Sequence, residues 1–186
     1  IVDSSSLLSL RKRRKWNLVY NQFHQTRVYG ELKVILKRLS QAYQTGIVTS
    51  SPKKYASRLI TYHDLDIDIL SAYHDTRRHK PDPDPILNAI SIIESKPDEC
   101  VYIGDEVNDI IASRRAGGKS AGAGWGTESI IKIKSAKPDF LNTIEKVVNE
   151  FNHIGTKDKS LIWNTDLLET LELQNIQQQP IVTKRT

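Results

Sequence analysis

Four side-chain types in this chain, widely separated along 186 residues, have the chemistry to hold an anion and a divalent cation together: the hydroxyls of Thr49 and Ser50, the ammonium of Lys80, and the carboxylates of Asp105 and Asp109. The two acids lie in the run CVYIGDEVNDIIASRRAGG, residues 100–118. Cys100 to Ile103 read as a buried strand and Gly104 permits a turn; Glu106 to Ala116 then carry the apolar spacing of a helix. Asp105 therefore sits on the turn, with Asp109 one helical turn further on. Hard cations take oxygen ligands, and Mg²⁺ in particular is held by one or two carboxylates together with water and substrate phosphate. The plainer reading of the same acids is a helix N-terminus whose dipole they favour.

Thr49, Ser50 and Ser51 come directly after a short apolar strand, and Pro52 stands at the expected first helical position. Hydroxyls and unpaired helix-start N–H groups converge there, as phosphate binding requires, although an ordinary Ser/Thr helix cap has the same pattern. Lys80 lies in HKPDPDPI, a loop kept extended by Pro81, Pro83 and Pro85 just before an apolar helix. There an ammonium can neutralise a phosphoryl oxygen, whereas an unpositioned lysine would be one more solvated surface residue.

The elements that must bring these groups together alternate. Helices are predicted over 31–44, 52–62, 85–94 and 106–116, and strands over 46–49, 67–72, 100–103 and 119–122. That order specifies a parallel sheet with right-handed crossovers and helices on both faces. In such sheets ligands bind at the carboxyl ends of the strands, where Thr49 and Asp105 fall.

The ordered set GIVTSSP, HKPDPDPI and YIGDEVNDI resembles the second, third and fourth motifs of the haloacid dehalogenase (HAD) superfamily, specifically its phosphatase-like members, over residues 1–151. Tyr29-Gly30-Glu31-Leu32 and Gly124-Trp125-Gly126 are smaller matches. The resemblance implies a Rossmann-like α/β core and a Mg²⁺-dependent phosphatase that works through an aspartyl-phosphate on a small phosphorylated metabolite. For individual residues it implies that Thr49, with Ser50, hydrogen-bonds the phosphate and that Lys80 stabilises the charge of nucleophile and phosphate. Asp105 would bind Mg²⁺ directly, Asp109 would act through water or from behind it, and Asn108 would orient the loop.

The family's first motif, an apolar strand and then Asp-x-Asp-x-Thr, is missing at the N-terminus; Ile1-Val2-Asp3-Ser4 aligns with the family's continuation just downstream of that motif. Asp3 and Ser5 could be aligned with Asp-x-Asp instead, but only two residues precede Asp3, too few for the strand that would aim it. With no methionine present, the expectation is a processed, alternatively started or truncated product. The missing strand belongs in the middle of the family's sheet, between those carrying Thr49 and Asp105, and leaving it out would expose two inner edges. One candidate filler lies near the other terminus. Ser160 to Asp166, SLIWNTD, is an apolar run ending in Asn-x-Asp, although a short apolar run of this kind more often packs as a satellite strand or helix. Asn164 would be a feeble, non-ionised substitute for a nucleophile.

The expected organisation is a short helical, cap-like segment over 1–30, the α/β core over 31–153 and a polar, Gln-rich tail over 154–186. A minimal cap would leave the site open, so that Arg11, Trp16 and His24 could reach a substrate. Composition, with 38% hydrophobic and 26% charged residues, suits one modest core. One cysteine excludes an internal disulfide, and Cys100 is expected to pack as a small apolar residue. No apolar run is long enough to span a membrane and no signal peptide is visible, so a cytoplasmic location is the default expectation. The net charge of +5 owes much to Arg11-Lys12-Arg13-Arg14-Lys15. No nucleic-acid motif accompanies that cluster, and the apolar stripe Trp16, Val19, Tyr20 and Phe23 beside it reads it as a solvated helix face. Two other functions stand beside the phosphatase: a catalytically inactive HAD-like module that binds phosphate or Mg²⁺ or regulates, and, on the basic cluster, a nucleic-acid-associated protein.

Overall fold

The computed structural model describes residues 15–26, 28, 32–123, 130–142 and 160–164. Its centre is a six-stranded sheet in the order β2-β1-β6-β3-β4-β5. The strands are β1 (Gln44–Val48), β2 (Ile69–Ser71), β3 (Cys100–Gly104), β4 (Lys119–Ala123), β5 (Phe140–Asn142) and β6 (Ser160–Asn164), and every pairing is parallel. Among the described residues six helices accompany them: α1 (Trp16–Val19), α2 (Leu32–Leu39), α3 (Lys53–His63), α4 (Asp84–Ile92), α5 (Val107–Ala116) and α6 (Ile130–Ser135).

β1 and β3 are buried along almost their whole length, with helices on both faces, so they carry apolar runs whose successive residues serve opposite sides. Ile47, Val101 and Ile103 pack with Leu32, Leu36 and Leu39 of α2, which recur at the helical spacing. Their neighbours Val48, Cys100 and Tyr102 face the other way, onto Ile86, Ala89 and Ile90 of α4 and Ala112 and Ala116 of α5. Cys100 is buried, as expected of a small apolar residue.

Two predicted elements are shorter in the structure for local reasons. The helix from 31 ends at Leu39, where the Ser40 hydroxyl bonds the Lys37 carbonyl and residues 40–43 turn towards β1. The strand predicted over 67–72 is confined to 69–71, because the Asp68 carboxylate takes the Thr45 N–H at 2.7 Å. α6 and β5 have no counterpart among the elements expected from sequence.

The middle of the sheet is filled. β6 pairs with β1 from Gln44↔Ser160 to Val48↔Asn164 and with β3 from Cys100↔Ser160 to Ile103↔Trp163. The backbone of 160–164, which the sequence assigns to a polar tail and also offers as a candidate filler, thus occupies the slot between the strands that carry Thr49 and Asp105. Asp3, Arg11 and the rest of the N-terminal stretch to Arg14, Tyr29 to Glu31, Gly124 to Gly126, and the tail beyond Asn164 lie outside the described residues.

α1 and the 3₁₀ turn Phe23–Gln25 lie on α3. The apolar stripe read from sequence packs there: Val19, Tyr55 and Leu59 are buried together, with Trp16, Tyr20 and Phe23 around them. Trp16 stacks obliquely on Tyr55 with centroids 5.5 Å apart, and Arg58 lies over Phe23 at 4.4 Å. Thr26 donates its hydroxyl to the Phe23 carbonyl, so the 2.7 Å contact with His63 must have Nε2–H as donor. Burial, and then the charge of Lys33, lower the His63 pKa from its ordinary 6.5.

Candidate active site

β3 delivers the acidic end of the site. Its last residue, Gly104, is required by contact: a Cβ added there would stand 2.2 Å from the Asp109 Cβ and 2.5 Å from its Oδ2. The chain leaves β3 at Asp105 and enters α5 with Glu106 as the flanking residue, and Asp109 folds back over Gly104 to accept the N–H groups of Asp105 and Glu106 on Oδ2, each at 3.1 Å. Its other oxygen receives the Lys80 ammonium at 2.6 Å, and the Tyr102 hydroxyl lies 3.4 Å away. Lys80 in turn donates to the Tyr102 oxygen at 3.0 Å. Asp105 and Asp109 are fully buried, and the Lys80 side chain is only 7% exposed. Such a charged pair persists in the interior only because each partner is satisfied by the other and by further donors and acceptors.

The loop that brings Lys80 across the sheet edge is fixed at several points. Arg78 clamps Asp84, in the first turn of α4, through Nε and Nη2 at 2.9 and 2.8 Å. The hydrogen bond from Arg78 holds the Asp84 carboxyl below the usual carboxylate range. Arg115 on α5 donates to the Pro81 carbonyl at 3.0 Å, and the His79 ring stacks on Tyr73 with centroids 4.0 Å apart. The peptide bond between Lys80 and Pro81 is cis.

β1 delivers the hydroxyl end. Thr49 is buried immediately after the strand; its N–H bonds the Ser71 carbonyl at 2.9 Å and its Oγ1 accepts the Ser51 N–H at 3.0 Å. Ser50 is exposed between two buried neighbours. Pro52 flanks α3, which begins at Lys53, one residue later than expected. Strand register puts the two ends level. Val48 is opposite Asn164 and Ile103 is opposite Trp163, so Thr49 and Asp105 stand at the same height, on either side of the chain leaving β6. Two strand spacings separate them, about 10 Å, a gap of the size a phosphoryl group with a cation would bridge.

The donor set fits Mg²⁺ in one particular way. Both Asp109 oxygens are engaged by Lys80, Tyr102 and two backbone N–H groups, while the buried Asp105 carboxylate stands just past the end of β3, where it could hold a cation. Among the described residues no group of three or more His, Cys, Asp and Glu side chains could hold a metal ion. One carboxylate completed by water and a substrate phosphate is a normal Mg²⁺ environment, while a protein-only cage is not.

Sequence reasoning misses Tyr102, whose hydroxyl joins Lys80 to Asp109, and the Arg78 and Arg115 contacts that hold the lysine loop. The signal for Tyr102 is present: a polar-tipped residue in an otherwise apolar buried strand must find a partner, and it sits two residues before Gly104, on the same face. Trp16 is packed against Tyr55, and the described contact of the His24 ring is with Phe23.

The family model for haloacid dehalogenase-like hydrolases matches residues 4–123, well over half of the chain. The chain belongs to this family. It is 32% identical over 136 residues to a Caldanaerobacter subterraneus subsp. tengcongensis protein named as an inferred pyrophosphatase, PpaX, covering 72% of this chain and 61% of that protein. It is 27% identical over 128 residues to pyrophosphatase PpaX of Bacillus cereus, covering 66% of this chain and 59% of the relative. This HAD chain therefore spans about three fifths of the length of these curated relatives. Among solved structures, a hydrolase from Pseudomonas syringae superposes with a TM-score of 0.67 at 25% identity, covering 78% of this chain and 68% of that one. A predicted phosphoglycolate phosphatase from Haemophilus somnus 129pt gives 0.66 at 24%, covering 74% and 64%. A second family model, the C-terminal part of fumarate reductase flavoprotein, matches residues 132–184, the stretch that contains β5 and β6. Among the described residues no helix is long and apolar enough to cross a membrane.

Proposed function

We propose that this chain carries the phosphate- and Mg²⁺-binding apparatus of a HAD phosphatase acting on small phosphorylated metabolites. The observation that carries the proposal is the Lys80–Asp109–Tyr102 cluster at the carboxyl end of β3, level with Thr49 across one intervening strand. In this reading Thr49 Oγ1 and the backbone around Ser50 bind the phosphoryl oxygens. Lys80, held by Asp109 and Tyr102, offsets their charge, and Asp105 coordinates Mg²⁺. Asp109 supports Lys80 and the turn rather than the metal. When bound, Mg²⁺ supplies neutralisation of charge on the transferring phosphoryl group. Hydrolysis through an aspartyl-phosphate further needs a nucleophilic carboxylate over the middle strand, and the described residues place none there. The names of the PpaX relatives make inorganic pyrophosphate the second substrate to assay beside phosphomonoesters.

Titration of the chain with inorganic phosphate in a calorimeter, with and without Mg²⁺, tests the site independently of turnover. Binding that strengthens with Mg²⁺ in the wild type and loses that Mg²⁺ dependence in Asp105→Ala supports it. An isotherm indifferent to Mg²⁺ and to the substitution refutes it.

A second reading, a binding module without turnover, is favoured by one specific observation: the residue that closes β6 at the slot is Asn164, an amide.

A further inference from the structure

We infer that Tyr102 is a positioning residue of the anion site: its buried hydroxyl, acting through Lys80 rather than on a ligand, fixes the direction in which the ammonium presents its charge. The inference rests on the site proposed above and adds to it a residue whose own position is in the core.

The strand position itself asks only for a ring. Tyr102 is 1% exposed and shares its buried cluster with Ile86, Ala89, Ile90 and Ala112, surroundings that a phenylalanine would fill as well. A hydroxyl there costs desolvation unless it is bonded. It is bonded to the charged pair. The Lys80 ammonium lies 3.0 Å from the Tyr102 oxygen and 2.6 Å from Asp109 Oδ1, and those two oxygens are 3.4 Å apart. Proton roles in this triangle are forced. An ammonium has only donors, so the phenolic oxygen accepts from Lys80; an ionised carboxylate only accepts, so the phenolic hydrogen points to Asp109.

The second acceptor decides direction. Arg78 on Asp84 and Arg115 on the Pro81 carbonyl hold the backbone of the lysine loop, which sets where the side chain begins. A flexible four-carbon stem follows, with three rotatable donors at its tip. An ammonium held by one carboxylate oxygen alone can still pivot about that contact. With Tyr102 on β3 and Asp109 on α5 each taking one donor, the tetrahedral nitrogen leaves one direction for its third N–H, away from both acceptors. A phosphoryl oxygen arriving there meets a group already aimed, so the ordering cost falls on folding rather than on binding. The ring attracts the ammonium as well, since Nζ is 5.6 Å from its centroid. Tyr102→Phe keeps that ring and removes the hydroxyl alone.

The experiment uses the full chain as wild type and Tyr102→Phe, each with ¹⁵N-labelled lysine. Calorimetry with inorganic phosphate and Mg²⁺ is expected to show binding about tenfold weaker in the variant, the lower end for a hydrogen bond to a charged group. In the wild type the Lys80 ammonium should give a resolved ¹H–¹⁵N signal, and in the variant its protons should exchange with water about tenfold faster, a signature that a packing role alone would not move. If the variant does not fold, wild type that also carries ¹³Cζ-labelled tyrosine serves: phosphate with Mg²⁺ should shift the Lys80 Nζ and Tyr102 Cζ resonances together. Phosphate affinity within about twofold of wild type in a folded Tyr102→Phe, an unchanged Lys80 signal, or a Lys80 shift that leaves Tyr102 unmoved overturns the inference while the site reading stands. Absence of Mg²⁺-dependent phosphate binding in the wild type overturns both.

Discussion

Removing the Asp109 charge should be among the most damaging single changes this fold can suffer, although the residue touches no solvent. Asp109→Asn keeps the shape but offers one acceptor oxygen where four donors now converge: Lys80 at 2.6 Å, the Tyr102 hydroxyl at 3.4 Å, and the N–H groups of Asp105 and Glu106 at 3.1 Å. If the amide oxygen stays with the backbone pair, its NH₂ faces the ammonium. Lys80 is then a nearly buried cation without its counter-charge, a situation that costs about 3–5 kcal/mol. Lys80→Met is milder, about 1–3 kcal/mol, because the two backbone N–H groups and Tyr102 still serve the Asp109 carboxylate. The double variant should cost less than the sum, with a coupling of about 2–3 kcal/mol. Urea unfolding at constant m-value measures all three. For a chain of this size, Asp109→Asn should lower the melting temperature by roughly 6–20 °C. A loss below about 1 kcal/mol in Asp109→Asn, or strict additivity in the cycle, would show that the ion pair does not hold the loop, and Lys80 would lose its claim to a fixed position.

Gly104→Ala should destabilise by about 3 kcal/mol and weaken Mg²⁺-dependent phosphate binding with it, because the new methyl meets the Asp109 Cβ at 2.2 Å and α5 must retreat; calorimetry on the variant reads both effects. Ile162→Pro removes a backbone donor from a strand paired on both sides, at a cost of about 3 kcal/mol or more, and amide exchange in β1 and β3 should accelerate together; exchange unchanged in both strands would remove β6 from the sheet. The pKa of His63 is depressed in the folded chain, so below its ordinary 6.5 the unfolded chain binds more protons than the folded one. Stability should thus be complete above about pH 6.5 and decline as the pH falls towards the depressed value. His63→Gln should flatten that part of the denaturation profile, and an unaltered profile would assign the slope elsewhere.

The order of elements from β1 to β3 was legible because those strands are short apolar runs closed by Thr49, Ser71 and Gly104 and the helices between them repeat their apolar residues at helical spacing. Thr49, Lys80 and Asp105 were legible for the same reason: they come after strands or before helices whose ends are well marked. The loss of residues 40–44 from the first core helix was not, since it depends on the Ser40 hydroxyl competing for the helix's own carbonyl. β5 and α6 are too brief for periodicity to separate from loop. Arg115 acts across a sequence gap that no local pattern encodes, and Tyr102 signals locally that it needs a partner but not which one. β6 shows the limit best, because an apolar pentapeptide announces that it needs cover but not which two strands will provide it.

The measurement that bears most directly on the shared phosphate and Mg²⁺ site is a crystal structure of the full chain grown with both ligands. One anion is expected over the end of β6, within hydrogen-bond distance of Thr49 Oγ1 and Lys80 Nζ, with the cation on Asp105. Phosphate bound elsewhere, or a cation coordinated by Asp109 with Lys80 released, would contradict that site.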